Sequence, residues 1–300
     1  MGILHVTEQP QSIGEALATC GAQSVKQLGA SCWNLSFANG AAFTTHAVAD
    51  EDWLAFEVQN STARKRTSPR KPLWNCLEWN SRLPGGVKFA LMPQHRCPII
   101  RAELPLEDGS CPAEALRLTG VGLKVAFHLL NDKVQADEPE PHCSTLVTEV
   151  AEGKDGDLSD LCASAGWKFD RRGSGDVAVE LESPASPCHA ILVHRGQGMA
   201  AMVQLAACDG LDETSRHAAA LMLLTVSGLV RMIRASAADA DGRLMLGFEA
   251  ALTRSTTSGQ LSRALSALSV ACGLCGPREI AAIQDEHVAQ RYLAVRGWAS

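Results

Sequence analysis

The sequence predicts an α+β protein made of two similar halves, each with the element order α-β-β-β-α-β-β-α and an antiparallel sheet. Three observations lead to this prediction. An acidic segment divides the chain, the strings on its two sides resemble each other, and each half shows short alternating runs followed by a helix, a hairpin and a closing helix. Similarity over this length indicates a duplicated domain rather than a short solenoid repeat.

The dividing segment is NDKVQADEPEPHCSTLVTEVAEGKDGD, residues 131–157, which carries eight acids against two lysines. Pro139 and Pro141 interrupt its first part, and apolar residues are sparse there. Such a segment cannot bury enough apolar surface to fold alone. We therefore predict one domain over 1–130, an acidic linker over 131–157 and a second domain over 158–300.

The similarity between the halves is clearest in one string. IIRAELPL (99–106) aligns with MLGFEAAL (245–252), so that Glu103 falls on Glu249 and Leu106 on Leu252. The helices that follow align with a gap of one residue, and Leu123 then falls on Leu268. The alternative is a chance likeness between two Ala/Leu-rich helices, each after a hairpin.

The elements of the first half follow from periodicity and turn residues. SIGEALATCG predicts a short helix, and CWNLSFA, AAFTTHAV and DWLAFEVQ predict three strands separated by turns at Asn39-Gly40 and Asp50–Asp52. KPLWNCLEWNSRL is helical, with Pro72 at its start. The hairpin over 87–107 and a helix from Pro112 complete the half.

The second half repeats this order. LSDLCASAG predicts a helix, and strand-like pieces follow at WKFDRR, DVAVELES, HAILVHR and MAAMVQLA. A long apolar helix from about Glu213, a hairpin over 231–253 and a closing helix come next.

This order of elements, with the hairpin that ends in RAELPLEDG before a helix, resembles the class I type III secretion chaperone fold and its YbjN-like relatives. The likeness covers most of both halves and includes no catalytic signature. It implies a small, acidic, non-enzymatic protein that pairs through its middle helices and holds an extended or unfolded segment of a partner. Two copies on one chain imply an internal pseudo-dimer, in which the helix near Trp74 packs on the helix near Leu221.

Bulk properties exclude several classes of protein. The net charge of -6 disfavours a nucleic-acid partner. The longest strongly apolar run covers 218–230, shorter than the ~20 residues that span a bilayer, so we predict no membrane association. The start of the chain shows no secretory signal, and the 11 cysteines follow no disulfide framework, which indicates a reduced protein of the bacterial cytoplasm.

The sequence ACGLCG places Cys272 and Cys275 in the spacing of a redox dithiol. A reactive pair needs a helix N-terminus, which lowers the pKa of its thiols, whereas this pair precedes Gly276-Pro277 at a helix end. We expect a buried structural pair, and a thiol-disulfide oxidoreductase is the alternative. A zinc site would need two further ligands, which no spacing selects.

Two other motifs point to ligands. Gly196-x-Gly198-x-x-Ala201 follows a strand and has the letters of a dinucleotide fingerprint, so a nucleotide-binding enzyme is a second alternative. Because a strand follows rather than a helix, we expect a hairpin turn at 195–198. The run ARKRTSPRKP (63–72) could meet an acidic partner or nucleic acid, and we expect a solvated loop.

The resulting prediction is a non-enzymatic protein that binds another polypeptide, chaperone-like or as a scaffold, with no assigned catalytic, metal or cofactor-binding residue and no cofactor. Antiparallel sheets leave a face and an edge free, to which an extended segment can add. Large aromatic residues are few, so Trp33, Phe43 and Trp53 are the candidate partner-binding residues. The alternative for all three is a place in the core.

Overall fold

A computed structural model describes residues 12–38, 42–59, 71–93, 95–131, 157–172, 175–182, 188–195, 198–240 and 242–298. The first half begins with helix α1 (Ile13–Ala16), which continues as a 3-10 turn over Leu17–Cys20. Four strands follow: β1 (Ser24–Gly29), β2 (Cys32–Phe37), β3 (Phe43–Ala49) and β4 (Trp53–Gln59). Helix α2 (Lys71–Asn80), the hairpin β5 (Val87–Ala90) and β6 (Ile99–Pro105), and helix α3 (Ala113–Asn131) complete it.

The second half has the same order. Helix α4 (Leu158–Ser164) precedes β7 (Phe169–Arg171), β8 (Val177–Leu181), β9 (Cys188–Arg195) and β10 (Gly198–Ala207). Helix α5 (Glu213–Leu229), the hairpin β11 (Ile233–Ala240) and β12 (Arg243–Thr253), and helix α6 (Ser258–Leu274) follow. Two further helices, α7 (Pro277–Ala282) and α8 (Glu286–Val295), have no counterpart among the described residues of the first half.

The two sheets have one topology. Each has six strands, in the orders β1-β2-β3-β4-β6-β5 and β7-β8-β9-β10-β12-β11, and all neighbouring strands in the described residues pair antiparallel. In both halves the hairpin that follows the middle helix returns so that its second strand lies beside the fourth strand. The predicted α+β class with two similar antiparallel halves is confirmed.

The predicted element order is wrong by one strand in each half, because four strands rather than three precede the middle helix. In the second half the four strand-like pieces coincide with β7–β10. In the first half β1, SVKQLG, was missed, since five of its six residues are exposed and no apolar alternation marks it. It forms because its backbone pairs with β2, in a register that joins Val25 to Leu35.

Alternation along the strands separates a core face from an outer face. In β2 the residues Trp33, Leu35 and Phe37 are buried, whereas their neighbours along the strand are only partly buried. Helix α3 covers the core face of the first sheet and α6 that of the second. The buried apolar residues form a single cluster that includes members of both halves, so the halves share one core.

Caps fix the starts of the second half's long helices. The Asp212 carboxylate accepts the Ser215 N–H at the start of α5, and Thr257 and Gln260 form a capping box at the start of α6. Two sequence predictions lie outside the described residues: the basic run at 63–70 and, apart from its ends, the acidic linker at 131–157.

Candidate functional site

The largest built feature is the interface between the halves. The middle helices α2 and α5 pack on each other, and α2 also lies on β11 while α5 lies on β5. The backbone N–H of Leu91 donates to the carbonyl of Leu224 in α5 at 2.9 Å. A Cβ added at Gly228 would lie 2.4 Å from the Leu91 carbonyl oxygen, so only glycine allows α5 to come this close. The predicted pseudo-dimer through the middle helices is therefore the observed arrangement.

A buried lysine of the first half reaches across this interface. The side chains of Lys88 and Glu103 are each 1% exposed, and their ion pair is 2.6 Å long. Lys88 Nζ also donates to the carbonyls of Val230 and Ile233 in the second half, at 3.0 and 3.1 Å. Its three donors are thus satisfied, which buried charge requires.

Glu103 holds three donors at the same place. Besides Lys88, its carboxylate lies 2.9 Å from Arg101 Nε and accepts the backbone N–H of Met232 at 3.3 Å. Met232 has a positive φ of 65°, which non-glycine residues seldom adopt. The carboxylate of the first half therefore fixes the turn by which α5 leads into β11.

A buried arginine of the second half reaches across the interface in the other direction. Arg234 is paired with the buried Glu249 at 2.5 Å, and its other terminal nitrogen donates to the carbonyls of Leu83 and Val87 in the first half. Arg195 is the second cation on Glu249, at 3.1 Å. Each half thus has a buried carboxylate paired with two cations. One of these cations also donates hydrogen bonds to main-chain carbonyls of the other half, at or next to the turn between its middle helix and its hairpin.

The two clusters are analogous but not identical. The carboxylates occupy equivalent positions, since Glu103 pairs with Ala55 of β4 and Glu249 with Met202 of β10. Arg234 lies directly opposite Glu249, whereas Lys88 lies opposite Arg101, two residues from Glu103. The position of the cation thus differs by two residues along the strand between the two halves, which keeps it on the same face of the sheet.

Exposed ion pairs surround the interface on the first half's side. Asp50 pairs with Arg231 at 3.2 Å, and the Arg231 guanidinium lies 5.2 Å from the ring centre of Trp53. Asp52 pairs with Arg263 at 3.7 Å. The acidic turn between β3 and β4 is thus held by arginines of the second half.

The structure separates the three candidate aromatic residues. Trp33 and Phe43 are 5% and 7% exposed and belong to the core, so they offer little surface to a partner in this conformation. Trp53 is partly buried and lies on the opposite, outer face of the same sheet, under Arg231. The three residues therefore do not form one surface, and their role in binding stays a prediction.

Two large apolar side chains of the first sheet, Val48 and Leu28, are about half exposed. Val48 is 49% exposed on the outer face, where the register places it between Cys32 and Ala55. Leu28, at the bulge near the end of β1, is 51% exposed. Cys32, Val48 and Ala55 thus lie side by side on the outer face, which Trp53 shares.

The free edges of the two sheets differ. In the described part of the chain no strand pairs with the outer side of β1 or of β7. Strand β1 spans six residues, whereas β7 spans three, and the last of these, Arg171, forms an ion pair with Asp157. A longer edge offers more main-chain donors and acceptors to an added strand.

Cations lie at the β1 edge. Lys26 is exposed on the outer face, opposite Asn34. Lys124 of α3 lies near Gly21, 5.6 Å from the ring centre of Phe37. Neither ammonium forms an ion pair with any residue that the structure describes.

The thiols of the predicted pair are both buried. Burial, with the nearby Cys188 and Cys275, raises the pKa of Cys272, and burial with the Glu279 carboxylate raises the pKa of Cys275 to about 12. Cys275 follows the last residue of α6. A raised pKa opposes thiolate formation, which an oxidoreductase of this type needs.

The strands on either side of the glycine motif pair as a hairpin, as predicted, and Gly196 and Gln197 lie outside the described residues. Arg195 ends β9, Gly198 begins β10, and the two residues pair with each other in an antiparallel register. A Cβ at Gly198 would lie 2.3 Å from the Leu252 carbonyl oxygen, so this glycine allows β12 to approach. A strand begins at Gly198, whereas a dinucleotide fingerprint requires a helix at this place.

Other site types are absent from the described residues. They contain no group of three or more His, Cys, Asp or Glu side chains placed to hold a metal ion. Within the same ranges, no helix combines the length and the apolar character needed to cross a membrane. A small cleft of about 40 Å³ lies between the halves, lined in part by Glu103, Cys111 and Gln260, with room for a few waters.

Comparison with known proteins gives no relative: no family model, no curated protein and no solved structure matches the chain.

Sequence reasoning missed the buried ion clusters. The alignment placed Glu103 on Glu249, which was the available signal, since an acid inside an apolar string of both halves needs a buried partner. It did not reveal Lys88 or Arg234, because each meets its carboxylate across a hairpin and its carbonyls across the interface.

Proposed function

We propose that the protein binds another polypeptide without catalysing a reaction, as a chaperone-like or scaffold protein of the bacterial cytoplasm, and that the β1 edge receives an extended segment of the partner. The edge of β1, with which no described strand pairs, and two cations that have no described anionic partner carry this proposal. Strand addition through main-chain hydrogen bonds is a common mode of peptide recognition.

The order of elements supports the chaperone-like interpretation. Each half has the helix, strands, middle helix, hairpin and closing helix that the resemblance to type III secretion chaperones and YbjN-like proteins implies, with one strand added at the outer edge. The halves also pair through their middle helices, as that resemblance implies. The partner's added strand would lie on β1, the strand by which the first half departs from the expected order.

The side chains around β1 define the partner's chemistry. An added strand would place one residue opposite Lys26 on the outer face and its neighbours on the side of Val25, which packs against the core. Opposite charges across strands stabilise a sheet by about 0.2–1 kcal/mol, and like charges destabilise it. The proposed partner segment is therefore extended and alternates acidic with apolar residues.

The test uses a fluorescently labelled nine-residue peptide that alternates Glu with Val, beside its Lys-for-Glu analogue, and measures anisotropy. We expect the acidic peptide to bind more tightly, and Lys26→Glu to weaken its binding about threefold to tenfold while the Lys peptide gains. Lys168→Glu is the matched control, because Lys168 is exposed beside the other edge strand.

Two results would overturn the proposal. One is equal binding of both peptides that Lys26→Glu leaves unchanged. The other is an equal effect of Lys26→Glu and Lys168→Glu, which would indicate attraction by overall charge rather than a site at β1.

A further inference from the structure

Two rows of side chains cross the outer face of the first sheet and end at the β1 edge. Residues that are paired across neighbouring antiparallel strands lie on the same face and contact each other. The register from β4 to β1 defines a polar row: Glu57, His46, Asn34 and Lys26. Two positions away, it defines an apolar row: Ala55, Val48 and Cys32. The apolar row reaches β1 at Gly29, which pairs with Cys32.

The polar row ends at the β1 edge in a cation. Lys26 is exposed, and no carboxylate that the structure describes forms an ion pair with it. Glu57, at the other end of the row, lies opposite Arg101 of β6. Because opposite charges across strands stabilise a sheet, a strand added to β1 gains most from an acid opposite Lys26.

The apolar row ends at a residue without a side chain. Gly29 is exposed, and its partner Cys32 is only partly buried. A Cβ added at Gly29 would meet the Cys32 Cβ at 4.0 Å, an ordinary contact distance, so this place has room for a side chain. A large apolar residue on a neighbouring strand can pack over an edge glycine. A strand added to β1 therefore gains from such a residue opposite Gly29.

A bulge in β1 sets the spacing between these two positions. Lys26 and Gly29 are three residues apart, yet both pair with residues of the outer face, because the register passes over Leu28. The Gln27 side-chain amide donates to the Gly29 carbonyl at 3.0 Å and so spans the bulge. A regular added strand meets both positions with residues two apart, which lie on one face. If it pairs antiparallel, as the described neighbouring strands of this sheet do, it runs from Gly29 towards Lys26.

We propose that the β1 edge selects a short motif in its partner: a large apolar residue followed two residues later by an acid, both on the outer face of the added strand. The apolar side chain lies over Gly29 against Cys32, and the carboxylate pairs with Lys26. This inference rests on the proposed function, since it specifies what the same edge selects. The motif has a direction, so a peptide of the reverse order has the same composition and charge but, added antiparallel, satisfies only one position at a time.

The experiment measures the binding of labelled nine-residue peptides by fluorescence anisotropy. All have a Thr background. In the first peptide Phe stands two residues before Glu, in the second the order is reversed, and in the third Ala replaces the Phe of the first. We expect the first peptide to bind about threefold to tenfold more tightly than either of the others.

Variants of β1 test the two positions separately. Gly29→Thr fills the place over Cys32 with a polar side chain and should reduce the preference for Phe over Ala to near onefold. Lys26→Glu should weaken the binding of all three peptides. Ser24→Thr is the matched control, because it introduces the same residue at an exposed position of the same face, on the other side of Lys26, and should leave the preference intact.

The outcomes separate this inference from the proposed function. If the first two peptides bind equally and Lys26→Glu weakens both, the inference is overturned and the proposed function stands. If Lys26→Glu changes no binding, both are overturned. A preference for Phe that Gly29→Thr leaves unchanged would also overturn the inference. The comparison of peptide orders uses the unmodified protein, so it decides alone if Gly29→Thr is unstable.

Discussion

At the scale of single residues, the interface is unusual in what it buries. Lys88, Glu103, Arg234 and Glu249 are among the least exposed residues of the protein, and every one has a charged partner. Removing two charges from water is costly, and their mutual attraction compensates only with good geometry and further hydrogen bonds. Here those bonds go to main-chain carbonyls of the other half. The hydrogen bonds of each buried cation are therefore complete only when the two halves are packed together.

Breaking one buried pair should therefore be costly. We expect Lys88→Met to lower the free energy of unfolding by about 3 kcal/mol, because Glu103 loses its nearest cation. Combining it with Glu103→Leu should restore much of that loss, since no unpaired buried carboxylate remains.

Urea denaturation of the single and double variants measures these effects. Arg243→Met supplies the control, as the Arg243–Asp209 pair is well exposed and should contribute less than about 1 kcal/mol. A double variant no more stable than Lys88→Met would contradict the assigned cause.

At the level of helices and strands, the sequence predicted those elements that hydropathy alternation and helix capping determine. Strands β2–β4 alternate in burial as they alternate in hydropathy, and α5 begins beside a capping aspartate. Strand β1 was not predicted because pairing with β2, a non-local interaction, decides its conformation. The sequence predicted that all three candidate aromatic residues lie on one sheet, but it did not predict that Trp53 lies on the opposite face from Trp33 and Phe43.

The cap of α5 gives an element-scale prediction with a pH dependence. The Ser215 N–H, donated to Asp212, lowers the pKa of that carboxyl below its ordinary value. A lowered folded-state pKa means stability that is present above the unfolded value, near 4, and is lost as the pH falls through the folded value.

We therefore expect Asp212→Ala to destabilise the protein by about 1 kcal/mol at pH 7 and by much less at pH 3. Asp212→Asn, which keeps a capping oxygen, should lose less at pH 7. Thermal melts at both pH values test this. A difference in stability between wild type and Asp212→Ala that is as large at pH 3 as at pH 7 would contradict it.

At the scale of the whole molecule, the two halves behave as the subunits of one dimer joined by a chain. They share one core, and main-chain hydrogen bonds, buried cations and exposed ion pairs cross between them.

Cutting the chain within 137–156, at an inserted protease site, should therefore leave the halves together. We expect the cut protein to elute from a sizing column as one species at micromolar concentration, and to melt at a concentration-dependent temperature because association is now bimolecular. Separation into two species would show that the interface alone does not hold them.

The hydrogen bonds that Lys88 and Arg234 each donate to the other half also have a consequence for folding during synthesis. The first half is complete at Asn131, yet its Leu83 and Val87 carbonyls receive Arg234 only after about a hundred more residues have been made. At ribosomal speeds of about 5–20 residues per second, that interval lasts roughly 5–20 s. During that time the nascent first half exposes the surface later covered by α5, so it must remain soluble, or be shielded by a factor at the ribosome, before its second half arrives.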